Sequence, residues 1–398
     1  MSEKNVVVAF GGRSPEHEVS VLTAMQAMQA LRDTKYTVVP LYISKSGRWL
    51  TGDYLLELEH YKDLGKVRDQ AVPCTFSFND MGKPALLETD KKGFFSSPQT
   101  YPIHALIPAL HGSEGENGTF QGACEMFHIP VGGSGVLASS LGMDKVRTKI
   151  FCRASDIPVI DEISFSESDW ETSQDELINK MEETGYPLMV KPVTLGSSIG
   201  VKKATTKNEL LEGIETAFRY DERLLVEKAV EPLIEINCAV LGTSDDHRAS
   251  VCEQPLGKEA TLSFADKYQN EEGGDKGMAS ADRIIPAEIS DEKTQHIQSL
   301  AREVFGLFDA SGVARLDFLI KEDTGEVYFN EINTIPGSFS YYLWEEEGMN
   351  MKELMLELID IAIKQHQKKT GRIRNYDTNL LNEKAVRGIK GLKGNGNE

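Results

Sequence analysis

Two apolar segments near the C-terminal end of the chain, ARLDFLI and EVYFNEIN, contain polar residues. Arg315 and Asp317 alternate with apolar residues in the first segment, as Glu331 and Asn333 do in the second. Side chains alternate faces along a strand, so each pair is expected on one face. The linker KEDTG has the length and composition of a hairpin turn, which predicts that the two strands pair.

It would cost free energy to bury two carboxylates, an amide and a guanidinium without hydrogen-bond partners. Asp317, Glu331 and Asn333 offer the hard oxygen ligands that Mg²⁺ prefers, and substrate phosphates would supply others. The residues therefore predict a metal–phosphate site, with a buried structural ion pair as the alternative. The Pro336–Gly337 turn favours the site, because its backbone N–H groups are not used by the strand.

A second candidate is MVKPVTLGSSIGVKK, where Lys191 ends a predicted strand and Ser197 and Ser198 lie in the loop to the next. Backbone amides of a Gly/Ser-rich turn can cradle phosphate oxygens, and a nearby lysine adds positive charge. The pattern is not a P-loop, because GxxxxGK[ST] does not occur. A hairpin turn with a solvent-reaching lysine is the alternative.

The strand LLVEKAV is a third candidate, because the main chain of 227–230 could meet a purine edge and Glu235 could accept from ribose hydroxyls. A solvated run of charges is the alternative for this segment.

Two loops, GGRSPEHEVS and HGSEGENGTFQG, follow predicted parallel strands. They carry Glu16, His111 and Glu116, at the sheet edge where α/β proteins bind ligands. One of these acids could hold a substrate ammonium. A histidine taken alone is more often a surface or capping residue.

The composition limits the class of protein. The 398 residues are 40% hydrophobic and carry a net charge of −19. This acidity argues against a nucleic-acid partner, and the lack of an apolar run of about 18 residues argues against a membrane span. Five cysteines without CxxC spacing and an N-terminus without a secretory layout predict a reduced, cytoplasmic protein.

Alternation of strands and helices predicts an α/β fold, α+β in part. Residues 1–130 are predicted to form an N-terminal domain with an open parallel sheet. Composition changes predict further units at 131–230 and 231–370. Residues 371–398, in which Lys and Arg outnumber acids, are predicted to be a basic, mobile tail.

Seven motifs, in this order, resemble the D-alanine–D-alanine ligase family of ATP-grasp enzymes over about residues 4–366: GGRSPEHEVS, HGSEGENGTFQG, VGGSGVLASSLGMDK, VKPVTLGSSIGV, EINCAVLG, ARLDF and NEINTIPG. The resemblance implies a three-domain ATP-grasp fold with ATP between the central and C-terminal domains, and a homodimer. It also implies ATP-dependent joining of two D-alanines through an acyl phosphate, for peptidoglycan synthesis.

The resemblance further implies a ligand for each candidate residue. ATP would be bound by Lys145, Lys191, Ser197, Glu227, Lys228, Val230, Glu235 and Lys267. Two Mg²⁺ or Mn²⁺ ions would be held by Asp317, Glu331 and Asn333. Glu16 would bind the ammonium of the first D-amino acid near His111, with Ser198 and Tyr268 closing the site around Glu16. Arg315 and the Gly337 N–H would stabilise the oxyanion, under a lid at about 255–285.

One departure from the family pattern concerns the second substrate. Tyr342 and Leu343 stand where the family usually has a Ser-Leu or Ser-Met pair that helps to bind the second amino acid's carboxylate. A ligase with D-alanine first and a different second amino or hydroxy acid is therefore the first alternative. A nucleotide-binding regulator that keeps the fold without turnover is the second.

Overall fold

The computed structural model of the chain describes residues 4–90, 97–256 and 283–373. Lys267, Tyr268, most of the predicted lid and nearly all of the predicted tail lie outside these residues. Within them, no helix is long and apolar enough to cross a membrane.

The strands of the described residues form three sheets. In chain order they are β1 (Asn5–Gly11), β2 (Thr37–Ile43), β3 (Trp49–Thr51), β4 (Val72–Phe78), β5 (Pro84–Glu88), β6 (Thr100–Pro108), β7 (Glu162–Ser166), β8 (Leu188–Pro192), β9 (Lys202–Ala204), β10 (Arg223–Lys228), β11 (Leu233–Thr243), β12 (Asp246–Pro255), β13 (Arg283–Ile284), β14 (Ser311–Lys321) and β15 (Val327–Asn333).

The α-helices of the described residues are α1 (His17–Leu31), α2 (Leu64–Gln70), α3 (Ser113–Glu116), α4 (Thr119–Met126), α5 (Val136–Met143), α6 (Lys145–Arg153), α7 (Glu167–Thr184), α8 (Lys207–Ala217), α9 (Asp291–Leu307), α10 (Tyr341–Glu345) and α11 (Met351–Thr370). Short 3-10 helices cover Asp53–Leu56, Leu58–Lys62 and Gly337–Ser340.

The first sheet corrects one part of the prediction. β1 pairs in parallel with β2 and β6, but every other neighbour is antiparallel and the six strands close into a barrel. An open parallel sheet is therefore wrong for this region. The reason is the short turn over 79–83 between β4 and β5, because a parallel pair needs a crossover of about a dozen residues or more.

β1 lies at the centre of the N-terminal core, and every one of its residues is buried. Val6, Val8 and Phe10 pack in one cluster with Leu354 and Leu358 of α11. A strand buried on both faces reads as a continuous apolar run, which explains the NVVVAF sequence. The last helix of the described chain thus covers the first sheet.

The second sheet has the order β7-β10-β8-β9, and its core includes residues of α7 and α8. The third has the order β13-β12-β11-β14-β15 and packs against α9. Both predicted hairpins are present: β8 pairs antiparallel with β9, and β14 with β15. These two hairpins bring the predicted phosphate and metal residues to one cleft.

Candidate active site

The β14–β15 hairpin gathers the four polar residues of the ARLDFLI and EVYFNEIN segments. Asp317 lies opposite Glu331, and Arg315 lies opposite Asn333. The Arg315 guanidinium donates twice to the Asp317 carboxylate, at 2.7 and 2.8 Å, and Asn333 Nδ2 donates to it at 3.0 Å. Burial lowers the pKa of Arg315, but Asp317 outweighs burial and holds it well above the usual range.

The donors on this hairpin fit a hard divalent cation. Glu331 and Asp317 supply carboxylate oxygens, and the Asn333 amide nitrogen faces Asp317, which leaves its oxygen as a further donor. The described residues contain no group of three or more His, Cys, Asp or Glu side chains placed to hold a metal. A cation here would therefore use two carboxylates and an amide, with phosphate or water as its other ligands.

Three charged side chains form two buried ion pairs beside this hairpin. Lys191 Nζ lies 2.5 Å from one oxygen of Glu227, and Lys149 Nζ pairs with the other oxygen. Lys149 also donates to the Ile160 carbonyl at 2.8 Å. Burial raises the pKa of Glu227, but the two lysines outweigh it and lower that pKa to about 2.

Lys149 is a site residue that sequence reasoning missed. Its signal was available, because it follows Lys145 by four residues on α6 and residues four apart share a helix face. Lys145 itself donates to the Leu195 carbonyl at 2.6 Å and lies 3.4 Å from Glu331. The predicted phosphate-binding lysine and the predicted metal ligand are therefore neighbours.

Most residues predicted for ATP line a cleft between the second and third sheets, together with Arg315, Asp317 and Glu331. These residues are Lys145, Lys191, Glu227, Lys228, Val230 and Glu235. The Lys228 ammonium donates to the carbonyls of Gly185 and Tyr186, at 2.9 and 2.6 Å. The Lys228 ammonium is thus held by two carbonyls of the protein.

The structure gives the two serines of the β8–β9 loop different surroundings. Ser197, predicted for ATP, donates its hydroxyl hydrogen bond to Glu16, whereas Ser198, predicted to join Glu16, lines the cleft. Both residues have left-handed backbones, with φ of 52° and 57°. Alternation along the sequence predicts neither these backbones nor the Ser197 contact to Glu16.

Glu16 approaches the loop after β6 closely. At Gly112, whose φ is +69°, a Cβ atom would lie 2.6 Å from a Glu16 carboxylate oxygen. The positive φ favours glycine there, and any larger residue would also displace the Glu16 carboxylate. The close approach places Glu16 beside the loop that carries His111 and Glu116.

His111 is buried, and its Nε2 lies 3.0 Å from the Thr23 hydroxyl. Burial lowers its pKa to about 4, with a further lowering by Arg315 that a hydrogen bond to the Ile335 carbonyl opposes. The imidazole is therefore neutral at neutral pH, so it is not a cationic partner for a substrate carboxylate.

Glu116 joins two loops of the site. It accepts from Gly112 N–H at 3.0 Å and from Ile335 N–H at 3.1 Å. Burial and the nearby Glu16 raise its pKa to about 7. Sequence reasoning identified Glu116 as a loop acid, but not as this link between the β6 loop and the chain after β15.

Tyr342 and Leu343 are both buried. The Tyr342 hydroxyl donates to Glu253 Oε1 at 3.2 Å, and Asn237 Nδ2 donates to the same oxygen at 2.9 Å. Arg283 donates to the other carboxylate oxygen at 2.6 Å and lies 4.1 Å above the Tyr342 ring. Sequence reasoning missed Glu253 and Arg283, since no local pattern links residues 30 positions apart.

Comparison with known proteins identifies the family of the chain. The family model described as D-ala D-ala ligase N-terminus matches residues 5–134, and the one described as D-ala D-ala ligase C-terminus matches residues 151–360. A D-alanine–D-alanine ligase of Thermosipho melanesiensis is 36% identical over 378 residues, covering 95% of this chain and 98% of the relative. One of Bacillus cytotoxicus is 37% identical over 375 residues, covering 93% and 98%.

Solved structures agree on the fold. The D-alanine-D-alanine ligase from Coxiella burnetii superposes with a TM-score of 0.76 at 29% identity, covering 99% of each chain. The VanG D-Ala:D-Ser ligase from Enterococcus faecalis gives a TM-score of 0.75 at 29% identity, covering 91% of this chain and 100% of that chain. The chain shares the ATP-grasp fold of these structures, and it belongs to the D-alanine–D-alanine ligase family.

Proposed function

We propose that this chain is an ATP-dependent ligase that joins two D-alanines into D-alanyl-D-alanine for peptidoglycan synthesis. The observation that carries the proposal is the opposition of Asp317 and Glu331 across one hairpin, with Lys145 3.4 Å from Glu331. Carboxylates and lysines in one cleft suit a metal-bound triphosphate. Membership of the ligase family supports the same reading.

In the first half-reaction, a carboxylate oxygen of the first D-alanine attacks the γ-phosphorus of ATP, and ADP leaves. This gives an acyl phosphate, a better acyl donor than a carboxylate. Lys145 and Lys191 would offset charge on the transferring phosphoryl group. Two Mg²⁺ or Mn²⁺ ions, held by Asp317, Glu331 and Asn333, would supply further charge neutralisation when bound.

In the second half-reaction, the amine of the second D-alanine attacks the acyl carbonyl, loses a proton, and phosphate leaves. Arg315 and the Gly337 N–H would stabilise the negative charge that develops on the carbonyl oxygen. Glu16, fixed by the Ser197 hydroxyl, would hold the ammonium of the first D-alanine. Lys267, Tyr268 and a lid at about 255–285 remain part of the proposal, to exclude water from the acyl phosphate.

The proposal also includes the organisation of the protein. It has an N-terminal substrate domain at 1–130, a central ATP-grasp domain at 131–230, a C-terminal catalytic domain at 231–370 and a basic tail at 371–398. The active form is a homodimer in the cytoplasm. The five cysteines, all buried free thiols, support a reducing compartment.

One observation favours a second candidate, a ligase with D-alanine first and a different second substrate. The buried Tyr342 places a phenol hydrogen-bonded to Glu253 at the position matched to the family's small serine. One structural relative is itself named a D-Ala:D-Ser ligase. The acceptor is therefore the part of the proposal that most needs measurement.

The test is ADP and phosphate release by the purified protein with Mg²⁺, ATP and a panel of D- and L-amino acids, alone and in pairs. Release with D-alanine alone, with the dipeptide identified by mass spectrometry, is the expected result. Release only when a different acceptor is added would favour the second candidate. ATP binding without release under any pairing would indicate the nucleotide-binding regulator and refute the proposed enzyme.

A further inference from the structure

The turn after Pro336 has an unusual backbone. Ser338, Phe339 and Ser340 follow one another in the left-handed region, with φ of 52°, 53° and 49°. Residues other than glycine visit this region singly and at a cost, so a run of three persists only where the surroundings hold it. All three residues are buried, and they follow Gly337 directly.

Thr23 on α1 contacts this turn. Its hydroxyl oxygen accepts from the Ser338 N–H at 3.1 Å and lies 3.0 Å from His111 Nε2. The hydroxyl has one proton to donate. Thr23 is buried, and among the described residues its only hydrogen-bond partner that can accept this proton is His111 Nε2, so we assign the proton to Nε2, which is then unprotonated.

The tautomer of His111 follows from this contact. The neutral imidazole then carries its one proton on Nδ1. Thr23 therefore links the Ser338 N–H, directly after Gly337, to the imidazole of His111.

We propose that Thr23 is a positioning residue, whose hydroxyl fixes both the left-handed turn around Gly337 and the Nδ1–H tautomer of His111. The inference rests on the proposed function, in which the Gly337 N–H meets the developing oxyanion. Such donors act only when held close to their productive position. Thr23 acts through its contacts with the turn and with His111.

The test compares Thr23→Val with Thr23→Ser. Valine keeps the shape of threonine but leaves both Ser338 N–H and His111 without the hydroxyl, so kcat should fall by about tenfold or more. KM for ATP should stay within about twofold, because the turn is not part of the ATP cleft. Serine keeps the hydroxyl and should restore kcat to within about threefold of the original protein.

A matched control is Thr51→Val. Thr51 is also fully buried in the N-terminal sheet, and its hydroxyl donates to the Pro40 carbonyl at 2.7 Å, away from the site. Equal losses of kcat in Thr23→Val and Thr51→Val would assign the effect to general packing and overturn the inference. A Thr23→Val protein with unchanged kcat would also overturn it.

The second readout needs no substrate. With ¹⁵N-labelled histidine and the His111 signals assigned from a His111→Gln variant, Nε2 should give an unprotonated-type shift in the original protein and in Thr23→Ser. In Thr23→Val this shift should move toward the protonated type; an unmoved signal would refute the inference. If the proposed function fails instead, the original protein shows no turnover, while the imidazole comparison still reports on Thr23.

Discussion

Lys149 ion-pairs with Glu227 inside the protein, where the two side chains are 3% and 1% exposed. Glu227 also pairs with Lys191, so Lys149 supports the position of Lys191 in the cleft through the carboxylate that the two lysines share. Breaking one contact of a buried ionic group leaves charge uncompensated, which costs far more than breaking a surface pair.

Lys149→Met is expected to lower the free energy of unfolding by about 3–5 kcal/mol in urea denaturation. KM for ATP should also rise, because Lys191 loses the fixed position of its carboxylate partner. Lys180→Met is the control: Lys180 pairs with Glu176 at an exposed surface, so its loss should change the free energy of unfolding little. Similar losses in the two variants would contradict the structural role of Lys149.

Glu331→Gln should abolish turnover while leaving the thermal midpoint close to the original value. The amide keeps the shape but removes the charge that would hold a divalent cation opposite Asp317. Glu326→Gln, at an exposed position just before β15, should retain activity. Near-normal rates of Glu331→Gln at saturating Mg²⁺ would disprove the metal assignment.

Substitutions of the two neighbouring serines should change the KM of different substrates. Ser197→Ala removes the hydrogen bond to Glu16, so KM for the first D-alanine should rise about fivefold or more while KM for ATP changes little. Ser198→Ala, in the ATP cleft, should mainly affect KM for ATP. The reverse pattern in steady-state kinetics would show that Ser198, and not Ser197, supports Glu16.

Glu116 should make stability depend on pH. Burial and Glu16 raise the pKa of this carboxyl to about 7 from its usual 4.5. A raised carboxyl pKa means that the folded protein binds the proton more tightly than the unfolded chain does. The contribution of Glu116 to the free energy of unfolding is therefore complete below pH 4.5 and is lost as the pH rises through about 7. The unfolding free energy of the original protein minus that of Glu116→Gln should therefore fall between about pH 5 and pH 8.

Urea denaturation of both proteins across that pH range measures the difference. Glu114→Gln is the control, because Glu114 is half-exposed and pairs with the exposed Arg13. A difference that stays flat, or that grows with pH, would show that Glu116 is ionised throughout.

Tyr342 should influence which acceptor is used. Tyr342→Phe removes the hydrogen bond from the phenol to Glu253 but keeps the ring. Because Glu253 still has Asn237 and Arg283 as partners, the acceptor preference should change little. Tyr342→Ser also removes the ring beneath Arg283 and opens space, so larger or more polar acceptors should gain in kcat/KM relative to D-alanine. An unchanged ranking of acceptors in Tyr342→Ser would show that this residue does not select them.

The sequence alone determined the chemistry-bearing hairpins. ARLDFLI and EVYFNEIN are strongly alternating and joined by a short turn, so local rules were enough to place Asp317 opposite Glu331. The same rules located the β8–β9 loop and its lysine. Motif order then pointed to the family before any contact was known.

Only the tertiary structure decided the contacts that depend on chain segments far apart or on single backbone angles. The first sheet closes into a barrel because short strands between its parallel members pair antiparallel. Ser197, whose backbone is left-handed, makes its hydroxyl contact to Glu16 across 181 positions of the chain. The Tyr342–Glu253–Arg283 and Thr23–His111 contacts join residues that share no periodic pattern, so packing alone brings them together.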